Sequence, residues 1–180
     1  VCSGSSASIL FTGTPNTIVT YNINNGTNST VNIGASGIFT LNIPLLVTST
    51  FNLVSIILDA PPSCSQLLTG STTLTVTQPP VAGSNAAISL CSNGPTQNLF
   101  ELLGVNAQPG GTWFPLLASG TGVFDPTVDA PGNYVYTVAG TPPCVNDTAL
   151  VTVTIVPQAN AGNDGVANLC SNLDPVDLTT

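Results

Sequence analysis

The feature that most narrows what this chain can become is that it repeats itself. Residues 82–93, AGSNAAISLCSN, return at 161–172 as AGNDGVANLCSN: an Ala-Gly pair, then Leu90 and Leu169, then Cys91-Ser92-Asn93 and Cys170-Ser171-Asn172, 79 residues apart. A second match lies upstream. SCSQLLTGSTTLTVTQPP from Ser63 parallels PCVNDTALVTVTIVPQ from Pro143, each with a cysteine after a Pro-rich turn, a Thr-rich apolar run and a closing Pro. Self-similarity at a fixed spacing means an array of similar units. Pro-rich joints at Gln78–Pro80 and Pro157–Ala159 divide the chain into units 1–79, 80–157 and the opening of a third, 158–180. Val1-Cys2-Ser3 matches the Cys-Ser of the repeated motif, so the first unit reads as lacking its leading strand. Val1 in place of an initiator Met reads as an interior fragment or a mature product.

Within each unit the local signal is strand. Asn133–Ala139 and Ala149–Val156 alternate with period two, turning Ala149, Val151, Val153 and Ile155 one way and Leu150, Thr152 and Thr154 the other. Ala7–Phe11, Thr17–Ile23, Ile38–Ile43 and Phe51–Leu58 read the same way, and helix is admissible only near Leu99–Leu103. Turn signals such as Asn25-Gly26 and Pro109-Gly110-Gly111 punctuate the runs. Six or seven short strands in about 80 residues predict an all-β chain of tandem, small immunoglobulin-like β-sandwiches, beads on a string.

Charge narrows the function. The 180 residues hold no Lys, Arg or His and eight Asp or Glu, a formal net charge of −8. Without cations the chain has nothing to neutralise phosphates, which excludes nucleic-acid and anionic-membrane binding. Without His or Lys it also lacks the usual groups for proton transfer, Schiff-base chemistry or a Ser–His relay. Hydrophobic residues make up 42 %, enough to build cores, yet no run approaches the roughly 18 residues that span a bilayer. The expectation is a non-enzymatic protein without membrane insertion.

Five cysteines suggest an oxidising compartment. Cys2 and Cys91 open their units and Cys64 and Cys144 occupy the late Pro-rich loops, so the repeat assigns Cys2 to Cys64 and Cys91 to Cys144, one bridge per unit. Cys170 opens the third unit, and its partner is expected after Thr180. Thiolate metal binding fits poorly, since there is no C-x-x-C pair and no His.

GGTWFPLLASGTGVFDPTVDAPGNYVYTVAGTPPCVNDTALVTVTI, from Gly110 to Ile155, resembles the repeat of very long surface adhesins of Bacteroidota, among them the SprB-like gliding-motility adhesins; the first unit, from Thr12, looks like a sister repeat. The resemblance implies type IX secretion, an extracellular position at the cell surface, and work beside the gliding machinery, with polysaccharide as a candidate ligand of the adhesive tip.

Four candidate sites follow. Asp125 and Asp129 flank Pro126 and precede Pro131-Gly132, where Asx turns account for them better than a catalytic carboxylate pair. Asn160, Asn163 and Asp164 beside the second joint are weak calcium ligands, hard oxygens without an acidic counterpart at the first joint, where only Ser84 and Asn85 stand; no other cofactor is expected. Trp113, the only Trp, is expected in a core, with Tyr134 and Tyr136 on one strand face. Asp147-Thr148-Ala149 matches the Bacteroidota O-glycosylation motif, and strand alternation turns Thr148 outward. Taken together, these features predict a stalk segment whose neighbours are repeats of the same chain. The alternatives are a polysaccharide-binding module using exposed aromatics and Asn22–Asn28, and a self-assembling filament or surface-layer subunit.

Overall fold

The computed structural model describes residues 1–159. The described residues form thirteen strands, the longer of them on alternating β-branched runs: β1 Ser6–Thr12, β2 Thr17–Ile23, β3 Ser29–Asn32, β4 Ile38–Pro44, β5 Ser49–Leu58, β6 Ser65–Leu67, β7 Ser71–Leu74, β8 Ala86–Cys91, β9 Gln97–Asn98, β10 Thr112–Phe114, β11 Val123–Phe124, β12 Gly132–Val138 and β13 Asp147–Val156. Among the described residues the helical element is a single 3-10 turn, Leu99–Leu103. Asn98 caps it, accepting from Phe100 N (3.1 Å) and donating to Glu101 Oε1 (3.2 Å).

The strands make two β-sandwiches. In the first, β1 and β4 form one sheet and β3-β2-β5-β6 the other, with β7 continuing β6 along β5. Phe11, Val19, Val31, Ile33 and Phe51 fill the space between them, and the Tyr21 ring stacks on Phe51 at 4.7 Å. In the second, β10-β12-β13-β8 faces β9-β11 and the 3-10 turn. Its interior is Leu99, Leu103, Phe124, Tyr134, Tyr136, Val151 and Val153. The two clusters share no residue. In β13 the inward set is Ala149, Val151 and Val153, as the alternation requires. Tyr134 Oη donates to Ala130 O four residues upstream (2.7 Å), the corner hydrogen bond typical of immunoglobulin-like sandwiches.

The repeated Ala-Gly pair has a packing reason. Ala82 is fully buried in the second core. Gly83 has φ +101°, and a Cβ there would lie 2.9 Å from Leu103 Cβ and 3.0 Å from Ala107 Cβ. The pair thus keys the joint into the sandwich that follows. Gly83→Ala should destabilise the second sandwich by about 2 kcal/mol or more. Fluorescence of Trp113, the single Trp, reads that midpoint; an unchanged one contradicts this role for the glycine.

The expected bridges are overturned. Cys2 is bonded to Cys144, not to Cys64, across 142 residues, and Cys91 is not bonded to Cys144; Cys64 and Cys91 are exposed free thiols. Strand direction explains the correction. β8 runs parallel to β13 and places Cys91 opposite Val156, whereas Cys144 precedes Asp147 at the other end of that ten-residue strand. In the first sandwich Cys2 pairs with Thr77, and Val76 N donates to Thr48 Oγ1 just before β5 begins. Cys64 lies at the far end of β5, its carbonyl accepting from Leu58 N. Ten extended residues separate the cysteines of one sandwich by about 30 Å, far beyond the roughly 7 Å a disulfide tolerates. The bridge that forms, Cys2 to Cys144, passes between sandwiches. Cys170, and the third unit from residue 160 on, lie outside the described residues.

Candidate functional site

The junction between the sandwiches is where the chain concentrates specific chemistry. The opening segment runs parallel to residues 75–77: Thr77 N donates to Val1 O (2.9 Å) and Ser3 N to Thr77 O (2.8 Å). The turn after Cys2 closes by Ser5 N donating to Cys2 O (2.9 Å), and Ser3 Oγ donates to Leu46 O (2.9 Å). Against this frame comes the late loop of the second sandwich, which is folded on itself by Cys144 N donating to Thr141 O (2.9 Å) and Gly140 N to Asn146 Oδ1 (2.9 Å). Cys144 is buried, its sulfur 3.3 Å from the Thr77 carbonyl oxygen, and its Cα lies 5.0 Å from that of Cys2. Asp147 at the foot of β13 accepts from Ala82 N (2.8 Å), tying the same loop to the joint. The arrangement is a strap: a covalent link from the opening segment of one sandwich to the last loop of the next.

The acidic turn is closed on itself. Asp125 Oδ1 accepts from Thr127 Oγ1 (2.7 Å) and Thr127 N (2.9 Å). Asp129 accepts from Ala118 N (2.7 Å) and Asp125 N (2.8 Å). Both carboxylates serve the backbone. The Thr127 hydroxyl, then its N–H, holds the Asp125 carboxyl below its ordinary 3.8. Its stabilisation is present above the ordinary carboxylate range and is lost as pH falls through the lowered folded value. Burial first, then the charge of Asp129, raises Tyr134 above 10.0. That contribution is complete below pH 10 and is lost as pH rises through the raised folded value. Tyr134→Phe should flatten the alkaline limb of stability against pH while leaving the acid limb in place, as denaturant titrations across pH would register. Equal alkaline slopes contradict it.

Trp113 is half-buried rather than enclosed. It packs against Tyr136 at 5.0 Å, while Tyr136 Oη donates to Gln108 O (2.8 Å) and accepts from Gly111 N (2.8 Å). Trp113, Phe100, Asn98 and Leu116 border an open cleft of about 360 Å³. Tyr134 and Tyr136 are both buried. In the Asn-rich loop the turn is centred on Asn24 and Asn25, both at positive φ, with Gly26 N donating to Ile23 O (2.9 Å). Its amides hold one another: Asn52 donates to Asn22 (3.0 Å), Asn22 to Asn28 (3.1 Å), and Asn24 accepts from Thr50 N (2.7 Å). Thr148 is exposed.

Among the described residues no three of His, Cys, Asp or Glu gather as metal ligands, and no helix is long and apolar enough to cross a membrane. The calcium candidates Asn160, Asn163 and Asp164 lie outside the described residues. At the first joint Asn85 accepts from Leu150 N (2.8 Å).

The chain matches no protein-family model. It matches no curated protein. Among solved structures it is similar to a Ca2+-stabilized adhesin that helps an Antarctic bacterium reach out and bind ice, at 18% identity and a TM-score of 0.39, over 89% of this chain and 46% of that one. It is also similar to extracellular domains 3–5 of Drosophila OTK, at 12% identity and a TM-score of 0.25, over 85% of this chain and 61% of that one. The chain thus spans less than half the length of the first of these.

Proposed function

We propose that this chain is a non-enzymatic, tension-bearing segment of the stalk of a cell-surface adhesin, built from successive repeats at 1–79 and 80–157 with a third opening at 158–180. The observation that supports this most is the strap. Two sandwiches with separate interiors are joined covalently from the opening of one to the late loop of the next. Such a link adds no catalytic or recognition surface, but it shortens the load path. Uniform negative charge keeps neighbouring stalks apart and soluble, and the absence of Lys and Arg removes every trypsin site.

The resemblance of Gly110–Ile155 to Bacteroidota adhesin repeats extends the reading to type IX secretion, gliding motility at the cell surface, a polysaccharide ligand at the tip, and an O-glycan on exposed Thr148. A polysaccharide-binding module is the competing reading, and the open cleft beside Trp113 is the observation in its favour. A glycan array probed with the 180-residue chain separates the two. The stalk reading expects no retention. Saturable binding that Trp113→Ala abolishes would overturn it and make the cleft the working site.

A further inference from the structure

Cys64 and Cys91 carry more than their exposure. Cys91 stands at the end of its sandwich in the same frame that holds Cys2. Cys2 pairs in parallel with Thr77 and Cys91 with Val156, 79 residues on from Thr77. Ser3 N donates to Thr77 O at 2.8 Å and Ser92 N to Val156 O at 3.0 Å. The following turn closes from Ser5 N to Cys2 O and from Gly94 N to Cys91 O, both at 2.9 Å. Cys64 in turn matches Cys144: each follows a Pro-Pro pair in the loop leading into the closing edge of its sandwich, β6 continued by β7 for Cys64 and β13 for Cys144. Cys64 also borders a groove of about 290 Å³ with Thr14, Ile57 and Gln66. At the junction present in the structure, an opening cysteine and a late-loop cysteine of successive sandwiches are bonded to each other.

We propose that Cys91 and Cys64 are the two open ends of a head-to-tail disulfide ladder, Cys91 taking the late-loop cysteine of a following repeat and Cys64 the opening cysteine of a preceding one. This rests on reading the chain as serial repeats. The partner is therefore another unit of this same kind, presenting a cysteine in the place of Cys144 or Cys2. Forming each bridge removes two protons and two electrons from two thiols. A disulfide oxidant such as glutathione disulfide accepts them and becomes two thiols. Because the loop closed by Cys2 and Cys144 runs past Cys91, successive bridges overlap. Every internal unit is then held by two straps, one closing before the other ends.

The test is a lengthened chain in which residues 79–157 are repeated once after Pro157, folded in a glutathione redox buffer, alkylated and cleaved before Asp. The expected result is loss of Cys91 alkylation. The 59–124 fragment should be linked to a 129–146 fragment, alongside the 1–58 to 129–146 link. Cys91→Ser should leave the inserted copy of Cys144 alkylatable. An alkylated Cys91 in the folded three-unit chain, or an inserted Cys144 joined elsewhere, overturns the ladder. Oxidation of the unextended chain carrying Cys170→Ser gives a second measurement. Covalent dimers should carry a Cys64–Cys91 link, and an equal share of Cys64–Cys64 links contradicts the proposal. A ladder that fails beside a blank glycan array removes the overlapping straps but leaves the stalk reading. Glycan binding with the ladder intact does the reverse.

Discussion

Pulled by its two ends, the oxidised chain is expected to lengthen far less than its length allows, and reduction should make about 500 Å more contour length available, released as each sandwich unfolds. The bridge replaces a path of 142 residues by a Cα–Cα distance of 5.0 Å. At about 3.5 Å per extended residue, that path is about 500 Å long. Tension entering at the amino terminus crosses from Cys2 to Cys144 and leaves through β13, so both sandwiches up to residue 143 sit outside the load path. Single-molecule extension with and without reductant reads the difference. A full-length unfolding trace in the oxidised protein would mean that the strap carries no load. The same loop removes about 5 kcal/mol of denatured-state freedom in the chain-entropy treatment. Reduction should therefore also lower the denaturation midpoint.

The second large effect concerns the separateness of the interiors. Phe124 is fully buried in the second cluster and Phe51 nearly so in the first. Each Phe→Ala change should cost about 3–5 kcal/mol from the lost apolar contact and the cavity left behind. In a small sandwich that is most of the stability available. Phe124→Ala should move the Trp113 fluorescence transition to much lower denaturant, and Phe51→Ala should leave it nearly in place under reducing conditions. Circular dichroism then shows two steps, and the two changes add in the double variant because their sites share no partner. A single transition displaced equally by either change would show one shared interior.

Much of this architecture can be read in the residues. The period-two runs at Asn133–Ala139 and Ala149–Val156 place β12 and β13 and their inward faces, and the recurring Ala-Gly marks a joint whose buried Ala82 and positive-φ Gly83 need those side chains. The Asx turn at Asp125–Asp129 follows from its proline setting. The cysteine pairing does not emerge, because repetition says which positions are equivalent without saying at which end of a sandwich each one lies. That depends on β8 running parallel to β13, a long-range pairing with no local signature. Strands β3, β9 and β11, of four, two and two residues, are too short to show a period. The one span where the residues admit helix, Leu99–Leu103, is the 3-10 turn, and Asn98 with Glu101 three residues on supplies its cap. Trp113 packs on Tyr136 but keeps one side open, a balance of cover that composition does not encode.

The most direct measurement is a non-reducing disulfide map of the folded 180-residue chain. Trypsin has no site, but cleavage before Asp leaves Cys2 in 1–58, Cys64 and Cys91 in 59–124, and Cys144 in 129–146. A strap between sandwiches predicts 1–58 joined to 129–146, with the 59–124 thiols open to alkylation. Finding 1–58 joined to 59–124, or 59–124 joined to 129–146 in the single chain, would give Cys2 or Cys144 a different partner and contradict the account.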